Sequence, residues 1–152
     1  VWTPQNIDEA STNGFELSTR NQLNNYFRFN SSITMLRSKF KDSGETQTFL
    51  NRRPELFGSI SLIYQKEAFM FGTELNLKYQ TKEMDFTHPT DPYYKWVDAD
   101  DYTVARLLSS YEFENGLRIS ARVENLFDKE YSEVHGYPAL GRALHVGFNY
   151  SF

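Results

Sequence analysis

Cysteine is absent from all 152 residues. That rules out a disulfide framework and any thiolate metal site. Long apolar runs are missing too: no stretch approaches the ~18 consecutive apolar residues of a membrane-spanning helix. Bulk hydropathy is negative, and a window average reads the chain as water-soluble. That average misleads for a membrane barrel, where lipid-facing and lumen-facing residues alternate and cancel. No basic patch occurs. The net charge is −4 with Lys and Arg scattered, which argues against a nucleic-acid partner. No Gly-rich phosphate loop, nucleophile elbow or H-E-x-x-H pair is found. His88, His135 and His145 have no metal-ligand spacing. No catalytic, cofactor-binding or metal-binding residue can therefore be assembled, and an enzyme is not expected. The chain opens Val1-Trp2-Thr3-Pro4 with no initiator Met and no apolar leader, so it is expected to be mature or a piece of a longer chain.

What is abundant is aromatic residues, 16% of the chain, and a period of two. In the last segment Leu144, Val146, Phe148, Tyr150 and Phe152 share one face, and Ala143, His145, Gly147, Asn149 and Ser151 the other. That is an amphipathic strand. The pattern recurs upstream and predicts seven strands, roughly 7–22, 26–40, 54–65, 69–81, 99–113, 117–127 and 142–152. Most reach the ~9–11 residues that cross a bilayer at a tilt. Short connections (23–25, 65–68, 114–116) alternate with long ones (41–53, 82–98, 128–141). This is the habit of an antiparallel up-and-down transmembrane β-barrel, with its short turns on the periplasmic side.

Charges segregate as such a barrel requires. Arg28, Glu74, Lys78, Arg118, Arg122 and Glu124 all fall opposite the apolar face. Tyr26, Phe27, Tyr64, Phe69, Tyr111, Phe113, Tyr150 and Phe152 fall beside the short turns, where an interfacial girdle belongs. The alternative is a small complete outer-membrane or soluble β-barrel with a binding or structural role; in the soluble case the apolar face turns inward. In the long connection 82–98, Tyr93, Tyr94 and Trp96 are candidates either for stacking on a ligand or for an outer girdle. Asn125 and Asp128 are expected to bond backbone groups and end the sixth strand. Gly141 is expected to supply an unusual backbone angle or a close approach, and Arg142 to pair with a lumen carboxylate such as Glu124.

The segment Asn125-Leu126-Phe127-Asp128-Lys129-Glu130-Tyr131, then Gly136-Tyr137-Pro138, then Gly141-Arg142 and a strand ending aromatic-x-aromatic, resembles the end of TonB-dependent outer-membrane receptors. In that family an N-L-F-D-K-x-Y motif marks the penultimate strand. Asn6 to Ala10 with Gly14 to Leu17, and Arg53-Pro54, look like further family features in the right order. Within the family the nearest likeness is to the vitamin B12 and siderophore receptors. The resemblance implies a 22-stranded barrel around an N-terminal plug, in the outer membrane of a Gram-negative bacterium. On that basis residues 1–152 are the seven-strand C-terminal part of the barrel domain, with the plug domain absent from this sequence. The implied partners are membrane lipid, the remaining strands and plug, and the TonB complex acting through that plug. A ferric chelate or corrinoid would be the ligand. The terminal strand resembles the signal read by the outer-membrane assembly machinery, which assigns Tyr150 and Phe152 to assembly.

Overall fold

The computed structural model describes residues 9–42, 45–47, 50–86 and 95–152. Those residues are all-β, with eleven strands and no helix. In chain order they are β1 (Glu9–Gln22), β2 (Phe27–Asp42), β3 (Glu45–Gln47), β4 (Arg53–Lys66), β5 (Phe69–Asp85), β6 (Lys95–Asp98), β7 (Tyr102–Glu112), β8 (Leu117–Glu124), β9 (Ser132–Val134), β10 (Tyr137–Pro138) and β11 (Ala143–Tyr150). The main sheet runs β1-β2-β4-β5-β7-β8-β11, each strand antiparallel to the next. These seven strands are the seven that the alternation predicts.

Tight turns join one end. At the first, the Asn24 side-chain oxygen accepts from the Tyr26 and Phe27 amides at 2.9 Å each. This is the self-bonding by which Asn closes a turn. At the third, Gly116 sits at φ +83° and a Cβ there would lie 2.3 Å from the Ser151 carbonyl. Both the backbone angle and the approach of the last strand therefore require glycine.

Register assigns every side chain to a face, because directly opposed residues project to the same side. On one face lie Phe15 and Leu17, Ile33 and Met35, Ile60 and Leu62, Leu75 and Leu77, Ala105 and Leu107, Ala121 and Val123, then Leu144 and Val146. No charged side chain interrupts this face between the aromatic edge and Tyr79. From Phe69 to Tyr79 is ten residues of β5. At ~3.4 Å per residue and ~45° tilt that is about 24 Å along a membrane normal. It matches the ~25 Å apolar band of an outer-membrane barrel. On β2 the first charge on this face, Arg37, falls ten residues beyond Phe27, and Lys39 and Lys41 follow.

The apolar face is not covered. Phe15 is 63% exposed, Leu144 67% and Phe148 72%; only Phe40, Ala99 and Ala105 are buried hydrophobics among the described residues. A soluble sandwich or lipocalin-like barrel would hide this face in a core. Here the wall is a single layer whose greasy side points outward, far more apolar surface than a water-soluble monomer presents.

The eight aromatics of the short-turn edge come together as contacts. Tyr64 lies 5.1 Å from Phe27, 6.2 Å from Tyr26 and 6.3 Å from Phe69, ring centre to ring centre. Tyr111 meets Phe113 edge-on at 4.8 Å, and Tyr150 lies 6.1 Å from Phe152.

The long connections carry more structure than alternation reveals. β6 continues the β5–β7 hairpin, pairing Lys82 to Asp85 with Asp98 to Lys95, and β3 extends β2 in the same way. Within 128–141, β9 and β10 form a separate two-stranded hairpin. These strands are two to four residues long and show no sustained apolar alternation.

Candidate functional site

The face opposite the apolar band is charged and internally paired. Register sets Glu74 beside Arg106 and Arg106 near Glu124. Arg106 Nε donates to Glu124 Oε2 at 2.7 Å and its Nη1 lies 3.6 Å from Glu74 Oε1. Arg122 Nε approaches Glu124 Oε1 at 2.8 Å. Two arginines and two carboxylates from three strands thus form one network, and lower down Arg118 pairs with Glu112. Arg106 is the one centre of this network that alternation missed. It sits on the weakest of the seven patterns, where Val104 and Leu108 flank it on the same face. Its partner across the strand, Glu74, was the available signal.

The family-motif residues gather at the outer end of β8 and the entry to β11. Asn125 is buried and sits at φ +46°. Its amide donates to the Lys129 carbonyl at 2.8 Å and the Leu140 carbonyl at 3.3 Å, and its oxygen accepts from the Lys129 amide at 2.9 Å. One side chain therefore closes the 125–129 turn and ties it to the approach of the last strand. Asn is among the few residues that tolerate the left-handed region and can bond locally there. The Leu126 amide donates to the Ala105 carbonyl at 2.8 Å, while Phe127 is 75% exposed. Asp128, at φ +54°, accepts from the Arg142 amide at 2.7 Å.

One expectation is corrected at this point, and another is narrowed to one of its two alternatives. Arg142 does not reach Glu124; its guanidinium lies 3.8 Å from Asp128 Oδ2, because Glu124 is already held by Arg106 and Arg122. Of the two roles expected of Gly141, the close approach is the one the structure shows. A Cβ there would stand 2.8 Å from Asp128 Oδ1, and Gly141 is not among the residues with positive φ.

Tyr131 leads into the β9–β10 hairpin and lies 4.3 Å from the Tyr102 ring. Burial, then the Glu133 and Glu124 carboxylates, raise the Tyr131 phenol above its ordinary value. The hairpin is strapped to the wall by side chains that grip its backbone. Lys78 Nζ donates to the Glu133 carbonyl at 2.8 Å, the Ser132 amide to Asp100 at 2.7 Å, and the His135 amide to Glu83 Oε2 at 3.0 Å. Glu83 has a side chain only 2% exposed and an Arg52 Nε 3.6 Å away. Lys78 and Glu83 both touch the hairpin although they are five residues apart. Between them Gln80 sits at φ +58° and drops out of the β4–β5 pairing.

Of the loop aromatics, Trp96 is half-buried on β6 opposite Met84; Tyr93 and Tyr94 lie outside the described residues, as does His88. His135 occupies the hairpin turn, and His145 faces Arg122 on the charged side. Among the described residues no group of His, Asp and Glu could hold a metal ion. Tyr150 is 56% exposed and Phe152 fully so. Among the described residues β11 pairs only with β8 and β1 only with β2, so each keeps one free edge there.

The profile of the family described as TonB dependent receptor-like, beta-barrel, matches residues 1–126. The chain belongs to the TonB-dependent receptor family. Relatives of this receptor chain include the vitamin B12 transporter BtuB of Vibrio vulnificus (strain YJ016), 32% identical over 160 aligned positions that take in 100% of this chain and 23% of the relative. The BtuB of Vibrio cholerae serotype O1 (strain O395) is 35% identical across 75% of this chain and 18% of its own length. The receptor chain thus spans less than a quarter of the length of these relatives. Among solved structures, the ferripyoverdine receptor of the outer membrane of Pseudomonas aeruginosa, bound to ferripyoverdine, superposes with a TM-score of 0.77 at 21% identity, over 94% of this chain and 20% of that one. The copper transporter OprC gives 0.74 at 21% identity, over 97% and 24%. At that identity the likeness establishes the fold, a stretch of TonB-dependent receptor barrel.

Proposed function

We propose that this chain is part of the barrel wall of a receptor in the outer membrane of a Gram-negative bacterium, one that imports a scarce ligand such as a ferric siderophore or a cobalamin. The observation that carries the reading is the band of seven strands, about 24 Å high, whose outward face carries no charge above Lys66 at its aromatic rim. Free edges on β1 and β11 are costly in a bilayer, because unpaired backbone groups have no water to bond. Both edges therefore pair with further strands of the same barrel, closing it around a plug through which the TonB complex supplies energy. The family's members act as receptors and transporters, and catalysis has no place in this reading.

In this account the tight turns face the periplasm, and β6 and the β9–β10 hairpin lie at the outer mouth. Tyr93, Tyr94 and Trp96 contact the ligand. Tyr150 and Phe152 act earlier, as the signal by which the assembly machinery recognises the last strand. The test is uptake of labelled cyanocobalamin and of a ferric siderophore by cells carrying the intact receptor, with and without TonB. Uptake of one of them that vanishes without TonB is the expected result; TonB-independent uptake overturns the reading. Alanine at Tyr93, Tyr94 and Trp96 is expected to weaken binding with barrel yield unchanged. Phe152→Ser is expected to lower the amount of receptor reaching the surface. A normal surface level would remove Phe152 from assembly.

A further inference from the structure

On the outward face of β2 the apolar band ends in a row of cations. Ile33 and Met35 are followed at alternate positions by Arg37, Lys39 and Lys41, all three exposed. We propose that this row binds the phosphate of a lipid headgroup in the outer leaflet, with the acyl chains of that lipid laid on the apolar residues below. The proposal rests on the reading of this face as the lipid-facing wall of an outer-membrane barrel, and it names one lipid contact that the wall selects.

Depth selects the headgroup layer. Arg37 stands ten residues beyond Phe27, about 24 Å along the normal at ~3.4 Å per residue and ~45° tilt. It is therefore at the upper border of the ~25 Å apolar band. Lys39 and Lys41 follow at steps of about 5 Å, across the ~5–8 Å interfacial layer that separates hydrocarbon from water. Their long stems let the three charged ends converge on one level.

These cations are not neutralised by the protein's own carboxylates. Across the β1–β2 ladder they stand opposite Asn13, Ser11 and Glu9. Among the described residues no ion pair joins any of the three to a carboxylate. On the lumen face, by contrast, Arg106, Arg118 and Arg122 each have a carboxylate partner. Three cations against Glu9 leave two positive charges in excess. At the short-turn rim the same face carries Lys66, whose ammonium is already engaged 5.9 Å from the centre of the Tyr26 ring.

The surface below makes this a site for an amphiphile. Met35, and Phe15 and Leu17 on the neighbouring strand, are each more than half exposed. Arg37 can hold phosphate oxygens with two parallel N–H donors, and the lysines add point charges. Cations above a bare apolar wall fit a phosphate that carries acyl chains. A soluble phosphate would use only the upper half of this surface.

The experiment is native mass spectrometry of the purified intact receptor in detergent. It is titrated with bisphosphorylated lipid A and with the same lipid stripped of its phosphates, with EDTA present so that no divalent cation bridges the partners. At about fivefold per uncompensated Lys or Arg beside an anionic headgroup, wild type should prefer the phosphorylated lipid by about 25-fold. The triple variant Arg37→Glu, Lys39→Glu, Lys41→Glu should bring that ratio to one or below. Glutamine at the same three positions should bring it close to one, and decides the matter if the charge-reversed receptor does not fold. Lys66→Glu, the same change of charge at the other rim, should leave the ratio as in wild type. An unchanged ratio in the glutamine variant, or an equal fall in Lys66→Glu, overturns the proposal. So does displacement of the bound lipid by millimolar inorganic phosphate, which would make the row a site for free phosphate. Equal retention of the two lipids by wild type overturns it while leaving the membrane reading intact, whereas retention of neither counts against both.

Discussion

Leu75 and Asn76 are neighbours in β5 that point to opposite sides of the wall. Replacing each in turn by arginine tests the orientation of the whole sheet. Leu75 is six residues above Phe69, about 20 Å along the strand and, at ~45° tilt, about 14 Å along the normal. That places it near the middle of a ~25 Å apolar band, with Ile60 and Ala105 on either side. An arginine on the lipid face at this depth costs about 2–4 kcal/mol. Asn76 lies between Ser59 and Val104 and donates to Glu74 Oε1 at 2.8 Å. An arginine there meets a carboxylate and an aqueous lumen, so its effect should stay within ~0.5 kcal/mol. The assay is reversible denaturant unfolding of the intact receptor in lipid vesicles, followed by tryptophan fluorescence. Leu75→Arg should cost at least ~1.5 kcal/mol more than Asn76→Arg, more than a tenfold shift in the folding equilibrium. Equal costs would refute the assignment of faces, and a larger cost at Asn76 would invert it.

Other expectations follow from single contacts. Asn125→Ala removes three hydrogen bonds and puts a Cβ-bearing residue with no polar group at φ +46°. It should cost about 2–4 kcal/mol and strip hydrogen-exchange protection from the Lys129 amide. Glycine at the same position should recover only the backbone part. Gly116→Ala brings a Cβ to 2.3 Å from the Ser151 carbonyl; it should release the end of β11, read as faster exchange at the Ser151 amide. Arg106→Ala leaves Glu74 without its arginine and takes from Glu124 its 2.7 Å donor. It should destabilise by about 1–2 kcal/mol at neutral pH, and Glu74→Gln in the same chain should return part of that loss.

The legible and illegible parts of this wall differ for a physical reason. A strand crossing lipid must keep one side greasy and uncharged, so period two persists over ten residues and the faces of β2, β5 and β11 can be read directly. The aromatic edge at Tyr64 and Tyr111 was legible because interfacial residues sit at fixed offsets from tight turns. The β9–β10 hairpin was not. It is too short for alternation, and its place is set by Lys78, Glu83 and Asp100 gripping its backbone, which leaves no trace in its own side chains. The burial of Glu83 was hidden because it depends on the His135 amide and Arg52, partners remote in sequence. The partner of Arg142 was misjudged because competition for Glu124 depends on Arg106, a residue that face alternation on β7 did not single out.

The central claim is that the apolar face of this sheet meets lipid. These 152 residues contain no cysteine, so single cysteines can be placed at successive positions 70 to 78 of β5 in the intact receptor, with any cysteine elsewhere replaced by serine. Each is spin-labelled in vesicles, and its collision rates with oxygen and with a water-soluble nickel chelate are measured. Labels at 71, 73, 75 and 77 should favour oxygen, most strongly near 75, and labels at 70, 72, 74, 76 and 78 should not. An absence of period two, or oxygen preference at the even positions, would contradict the account.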